Sequence, residues 1–116
     1  CYVDIFLNIS YSTKIWISIT KLNLIYIDAN AFEKLSMIDQ LQLSYNYLEI
    51  LNESYFHSLN NLKTLDINNN LIEKIGENAF NGLRRVENLN LRQNRLGEIH
   101  QNAFRIMILI RKLDLN

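Results

Sequence analysis

Phe32, Phe56, Phe80 and Phe104 are spaced by a constant 24 residues, and most other apolar positions keep step with them. One period reads Leu62, Leu65, Ile67, Asn70, Ile72, Ile75, Phe80, Leu83. Adding 24 gives Val86, Leu89, Leu91, Asn94, Leu96, Ile99, Phe104, Met107, and subtracting 24 gives Ile38, Leu41, Leu43, Asn46, Leu48, Leu51, Phe56, Leu59. A repeat of this length is one supersecondary unit that cannot bury its apolar face alone, so its copies must stack into a solenoid.

The repeats divide residues 14–116 into blocks 14–37, 38–61, 62–85, 86–109 and a partial 110–116, leaving residues 1–13 as an N-terminal cap or hairpin. Leu65-Asp66-Ile67 and Leu89-Asn90-Leu91 alternate with the two-residue period of a strand that buries one face. Stacking sets these strands side by side as a parallel sheet on the concave side. Parallel strands need a long crossover, and the second half of each block supplies it over the convex side. Leu48, Leu51, Phe56, Leu59 and their equivalents point inward there, and the Phe column forms an aromatic ladder. The expected fold class is α/β: a horseshoe arc with a parallel concave sheet and an irregular or short-helical convex side. The last block opens with Ile110, Leu113 and Leu115 and stops at Asn116. That leaves an apolar edge without the polar cap a terminal repeat needs, so the chain reads as a fragment.

The column Asn46, Asn70, Asn94 falls where the chain leaves the strand and turns inside the stack. A buried amide can donate to stranded carbonyls and accept from stranded N–H groups, which offsets its own burial. These three are expected to be structural, not ligand-binding. Block 14–37 departs from the rule, with Leu22 in the Asn place and Lys14 in the first apolar place.

Composition narrows the function. An apolar share of 48% fits a folded chain of 116 residues. The formal net charge is zero, so no nucleic-acid partner is expected. Charge is uneven, however. Before residue 61, Lys14, Lys21 and Lys34 face Asp4, Asp28, Glu33, Asp39, Glu49 and Glu53, while Arg84, Arg85, Arg92, Arg95, Arg105, Arg111 and Lys112 crowd the later part. No stretch approaches the roughly 20 apolar residues of a membrane span.

On the concave face, outward residues fall at the third, fifth and seventh places of each block. The third-place column is Trp16, Gln40, Thr64, Asn88, Lys112; the fifth is Ser18, Gln42, Asp66, Asn90, Asp114; the seventh is Thr20, Ser44, Asn68, Arg92, Asn116. Lys21, Tyr45, Asn69 and Gln93 stand beside them at the eighth place. This amide- and hydroxyl-rich surface can exchange many hydrogen bonds with a partner. Trp16, Gln40, Gln42, Tyr45, Thr64, Asp66, Asn68, Asn88, Asn90 and Arg92 are the candidate ligand-binding residues. Trp16, Tyr45 and Arg92 are of the types that most often anchor interfaces, although Trp16 could instead cover the cap and Tyr45 pack on its neighbours. Asp66 and Asp114 share a column but lie two repeats apart, roughly 10 Å at the usual strand spacing. No convergent acid/base or nucleophile set, metal-ligand spacing or phosphate loop is present, so neither catalysis nor a cofactor is expected.

The period resembles the typical, 24-residue form of the extracellular leucine-rich repeat. Ile75-Gly-Glu-Asn-Ala-Phe-Asn-Gly-Leu83 carries the likeness, and Asn78-Ala79-Phe80 recurs as Asn30-Ala31-Phe32 and Asn102-Ala103-Phe104. Members of that family include Toll-type receptor ectodomains, secreted matrix proteoglycans, neuronal adhesion receptors and secreted insect immune proteins. The resemblance implies a non-catalytic recognition module of a secreted or cell-surface protein, innate-immune in one version, with a protein or glycan ligand on the concave face. It also implies that Cys1 is the last cysteine of an N-terminal cap, disulfide-bonded to a partner outside this chain. The sequons Asn8-Ile9-Ser10 and Asn52-Glu53-Ser54 would accept N-glycans at such an address. Leu22 and the missing C-terminal cap are departures from the family pattern. Two alternatives stay open: a matrix or adhesion protein that pairs with other copies or other chains, and an intracellular scaffold in which the sequons are accidental.

Overall fold

The computed structural model describes residues 5–9, 14–53 and 55–116, with backbone alone at 5–9, 52 and 53. Nine strands lie among them: β1 (Ile5–Ile9), β2 (Ile15–Ile19), β3 (Gln40–Gln42), β4 (Ile50–Glu53), β5 (Thr64–Asp66), β6 (Lys74–Asn78), β7 (Asn88–Asn90), β8 (Glu98–Ile99) and β9 (Lys112–Asp114). They form a six-stranded concave sheet in the order β1-β2-β3-β5-β7-β9 and a three-stranded convex sheet, β4-β6-β8. From β2 onward every pairing is parallel and offset by one 24-residue period, for example Gln40 opposite Thr64 and Thr64 opposite Asn88. The chain is a parallel-sheet solenoid of about four turns.

The core follows the sequence period. Leu41, Leu65 and Leu89 point inward from the concave strands, and Leu51 and Ile75 from the convex ones, all buried. The Phe column stacks between the two sheets, with ring centroids 6.3, 6.4 and 5.5 Å apart and planes within 11–19° of parallel. Burying each such ring contributes about 1.5–3 kcal/mol.

The described residues hold no helix. Of the two convex forms expected, turns and short strands are found. An α-helix is roughly 10–12 Å across, about twice the 4.8 Å spacing of the concave strands. Helical crossovers would force the convex side to splay, whereas isolated turns closed by Leu59 N–H to Phe56 O and Leu83 N–H to Phe80 O do not. Close approach between turns is visible at Gly82, whose φ is +96°. A Cβ there would lie 2.4 Å from the His57 carbonyl oxygen of the preceding turn.

The two ends differ from the middle. β1 runs antiparallel to β2, pairing Ile5 with Ile19 and Ile9 with Ile15. It covers the edge of the concave sheet but not the crossover side. There a cleft of about 540 Å3 opens among Ile17, Ile19, Leu22, Leu24, Ile27 and Phe32. At the other end, core positions Ile99, Leu113 and Leu115 are 39–41% exposed. Cys1 lies outside the described residues, as do the side chains of Asn8 and Asn52.

Candidate binding surfaces

The turn that follows each concave strand fixes which side chains reach solvent. Its residues Lys21, Tyr45, Asn69 and Gln93 all adopt positive φ, between 55° and 59°. The left-handed conformation aims their N–H groups along the stack. Lys21 N–H donates to Tyr45 O, Tyr45 N–H to Asn68 O, Asn69 N–H to Arg92 O and Gln93 N–H to Asn116 O. One place later, the Asn column fills the space under this turn. The Asn70 amide nitrogen donates to Leu43 O, Ile67 O and Asn68 O at 3.0–3.3 Å, and its oxygen accepts from Leu48 N–H at 3.1 Å. Asn46 and Asn94 repeat the pattern, reaching back to Leu22 N–H and Ile72 N–H. Each Asn thus serves the turn before its own. Among the described residues Leu22 has only an antiparallel strand before it, with no preceding parallel turn for an Asn to serve.

The left-handed column was not visible from composition. Asn69 alone is of a residue type that favours this region; a bulky Tyr there is an outlier. Holding a non-glycine residue left-handed costs roughly 1–2 kcal/mol. The signal that could have found it is positional: each of these residues immediately precedes the Asn place or its equivalent.

The structure distributes the candidate ligand-binding residues over two surfaces. Thr64, Asp66, Asn88, Asn90 and Arg92 converge with Lys112 and Asp114 in a concave cleft of about 310 Å3. They stand in register on β5, β7 and β9, third and fifth places side by side. Asn88 donates to the Thr64 hydroxyl at 3.5 Å, the Asn90 side-chain oxygen accepts from Arg92 N–H at 3.0 Å, and Arg92 Nε lies 3.6 Å from Asp114. The Asp66 carboxylate has no hydrogen-bond or ion-pair partner among the described residues. Trp16, Gln40 and Gln42 continue the same rows on β2 and β3, half-buried and outside this cleft.

Tyr45 is elsewhere. Its left-handed turn swings it to the flank, where it lines a groove of about 460 Å3 with Lys21, Asn23, Tyr47, Asn69 and Gln93. Two outward assignments need correction. Ser18 and Ser44 are only 7% and 8% exposed, and the Ser44 hydroxyl is tied to Asn68 Oδ1.

A family model for leucine rich repeats matches residues 16–72 and again 60–116. The chain belongs to the leucine-rich repeat family. Among solved structures it is similar to the TLR13–ssRNA13 complex, at 26% identity and TM-score 0.81 over 84% of this chain and 14% of that one. It is also similar to the Toll–Spatzle complex of Drosophila, described as a hub in development and innate immunity, at 32% identity and TM-score 0.73 over 76% of this chain and 12% of that one. A likeness to the SNF/U2A' complex of Drosophila melanogaster, at 21% identity and TM-score 0.71, covers 97% of this chain and 65% of that one and shows the fold alone. No curated protein sequence matches the chain. The chain thus spans 14% and 12% of the two Toll-type chains. One of them was solved with single-stranded RNA, so zero net charge does not exclude a nucleic-acid partner for this fold, and that expectation is withdrawn.

Proposed function

We propose that this chain is a non-catalytic recognition module that holds a protein partner on its concave sheet. The observation that carries the reading is the cleft on β5, β7 and β9. Its outward side chains supply amide donors and acceptors, an ion pair, and in Asp66 a carboxylate left without a partner among the described residues. The rigid scaffold beneath keeps these groups in place, which limits the ordering entropy that binding must overcome. A glycan on the partner would meet the same amides.

The finer reading is a secreted or cell-surface protein with an innate-immune role. It is supported by the likeness to the Toll–Spatzle complex, by the 24-residue typical form of the repeat, and by the two sequons. Asn52 falls in β4 on the convex sheet, so a glycan there would leave the concave cleft open. The disulfide of Cys1 belongs to the same reading.

Asp66→Arg and Asn90→Arg place a bulky cation in the cleft without touching the core, and Glu33→Arg makes the same change at an exposed crossover position. Proteins recovered with each variant from the source tissue are compared by quantitative mass spectrometry. The expected result is a partner retained by wild type and Glu33→Arg and lost about tenfold or more, some 1.4 kcal/mol, with either cleft variant. Partners recovered equally by all four proteins would refute concave binding.

A further inference from the structure

The flank groove is a second candidate surface, separate from the concave cleft. Its left-handed column holds Lys21, Tyr45 and Gln93 at places where Asn69 shows the residue type that suits the backbone. The left-handed turns carry Lys21, Tyr45 and Gln93 along one flank of the stack, all three exposed. Tyr45 is 53% and Tyr47 49% exposed, and both rings line the groove. Lys21 Nζ sits 5.8 Å from the centre of the Tyr45 ring, so the cation is held over the aromatic face. Among the described residues Lys21 is the single charged residue of the groove lining, and no carboxylate lines it.

We propose that this groove binds an extended, acidic peptide segment of a partner protein, lying along the stack across successive turns. The turns that line it, from Lys21 to Gln93, span roughly 14 Å at about 4.8 Å per turn, the length of four to five extended residues. Asn23, Asn69 and Gln93 offer amides to peptide N–H and C=O groups in either direction. Tyr45 and Tyr47 supply apolar faces with polar tips, and Lys21 pairs with a carboxylate at one end.

The test is fluorescence anisotropy of the chain with three randomised, labelled hexapeptide pools, enriched in Glu, Gln or Lys, and with a hexamer of uridylate. The acidic pool should bind best, and Lys21→Glu should weaken it about tenfold or more while Glu33→Gln, at an exposed crossover position, leaves it unchanged. Tyr45→Asn gives the sharper result, because Asn suits the left-handed turn. Its melting temperature should hold or rise while acidic-pool binding falls. The proposal is overturned by equal binding of the three pools, by preference for the uridylate, or by Lys21→Glu binding as wild type does. A lowered melting temperature in Tyr45→Asn with peptide binding intact also overturns it, since the ring would then be structural.

Discussion

The first turn, residues 14–37, and the third, residues 62–85, carry the same apolar period but different burial. In the third turn Leu62, Leu65, Ile67, Ile72, Phe80 and Leu83 are fully buried, and Phe80 stacks on a ring at each side. In the first turn Ile17, Ile19 and Leu24 border an open cleft, Phe32 stacks, among the described residues, on Phe56 alone, and Ile25 and Tyr26 are 68% exposed. The inward positions are set by the period, but burial needs a packed turn on both sides. Stability in such an array is close to a sum of nearest-neighbour terms, so the first turn, covered by β1 on its concave strand and open at its crossover side among the described residues, has a smaller one.

Truncating the rings should break this comparison most clearly. Phe80→Ala is expected to lower unfolding free energy by about 3–5 kcal/mol. Phe32→Ala, whose void opens onto the cleft, should lose less, and equal losses in urea titrations would show that both turns are packed alike. Next come the glycines. Gly82→Ala carries roughly 1–3 kcal/mol of backbone strain and a clash with the His57 carbonyl. A Cβ on Gly97 meets nothing nearer than 4.0 Å, so its alanine variant should melt close to wild type.

Asn70→Ala leaves Leu48 N–H and Asn68 O without their side-chain partner, while the Leu43 and Ile67 carbonyls keep the Asn46 and Asn94 amides, at about 1–3 kcal/mol. Asn94→Ala should lose less because its site is half-exposed and water can substitute. The smallest effect is expected for Leu22→Asn, within about 0.5 kcal/mol, since no parallel turn precedes it. A clear gain there, read as a rise in the urea midpoint, would mean that the first turn does offer groups for an Asn to bond.

The sheet register, the inward columns and the Phe stack follow residue by residue from the spacing, because a fixed period forces equivalent places into contact. The outward rows on β5 and β7 were legible for the same reason. What escaped the sequence was set by backbone direction between elements. The left-handed turn moves Tyr45 off the concave face, a consequence of where its N–H must point and not of its side chain. Ser18 and Ser44 alternate as outward residues would, yet both are buried, Ser44 with its hydroxyl bonded to the Asn68 side chain. The convex strands β4, β6 and β8 are two to five residues long, too short for periodicity to reveal them.

Native-state hydrogen exchange of the backbone amides tests the nearest-neighbour account most directly. Leu48 N–H, bonded to buried Asn70, and Ile67 N–H, bonded to Asn90 O, should exchange most slowly, near the global limit. Leu22 and Leu24 N–H, bonded to Asn46 beside the open cleft, should exchange much faster, with protection falling from the third turn toward each end. Uniform protection along the chain, or slowest exchange in the first turn, would contradict it.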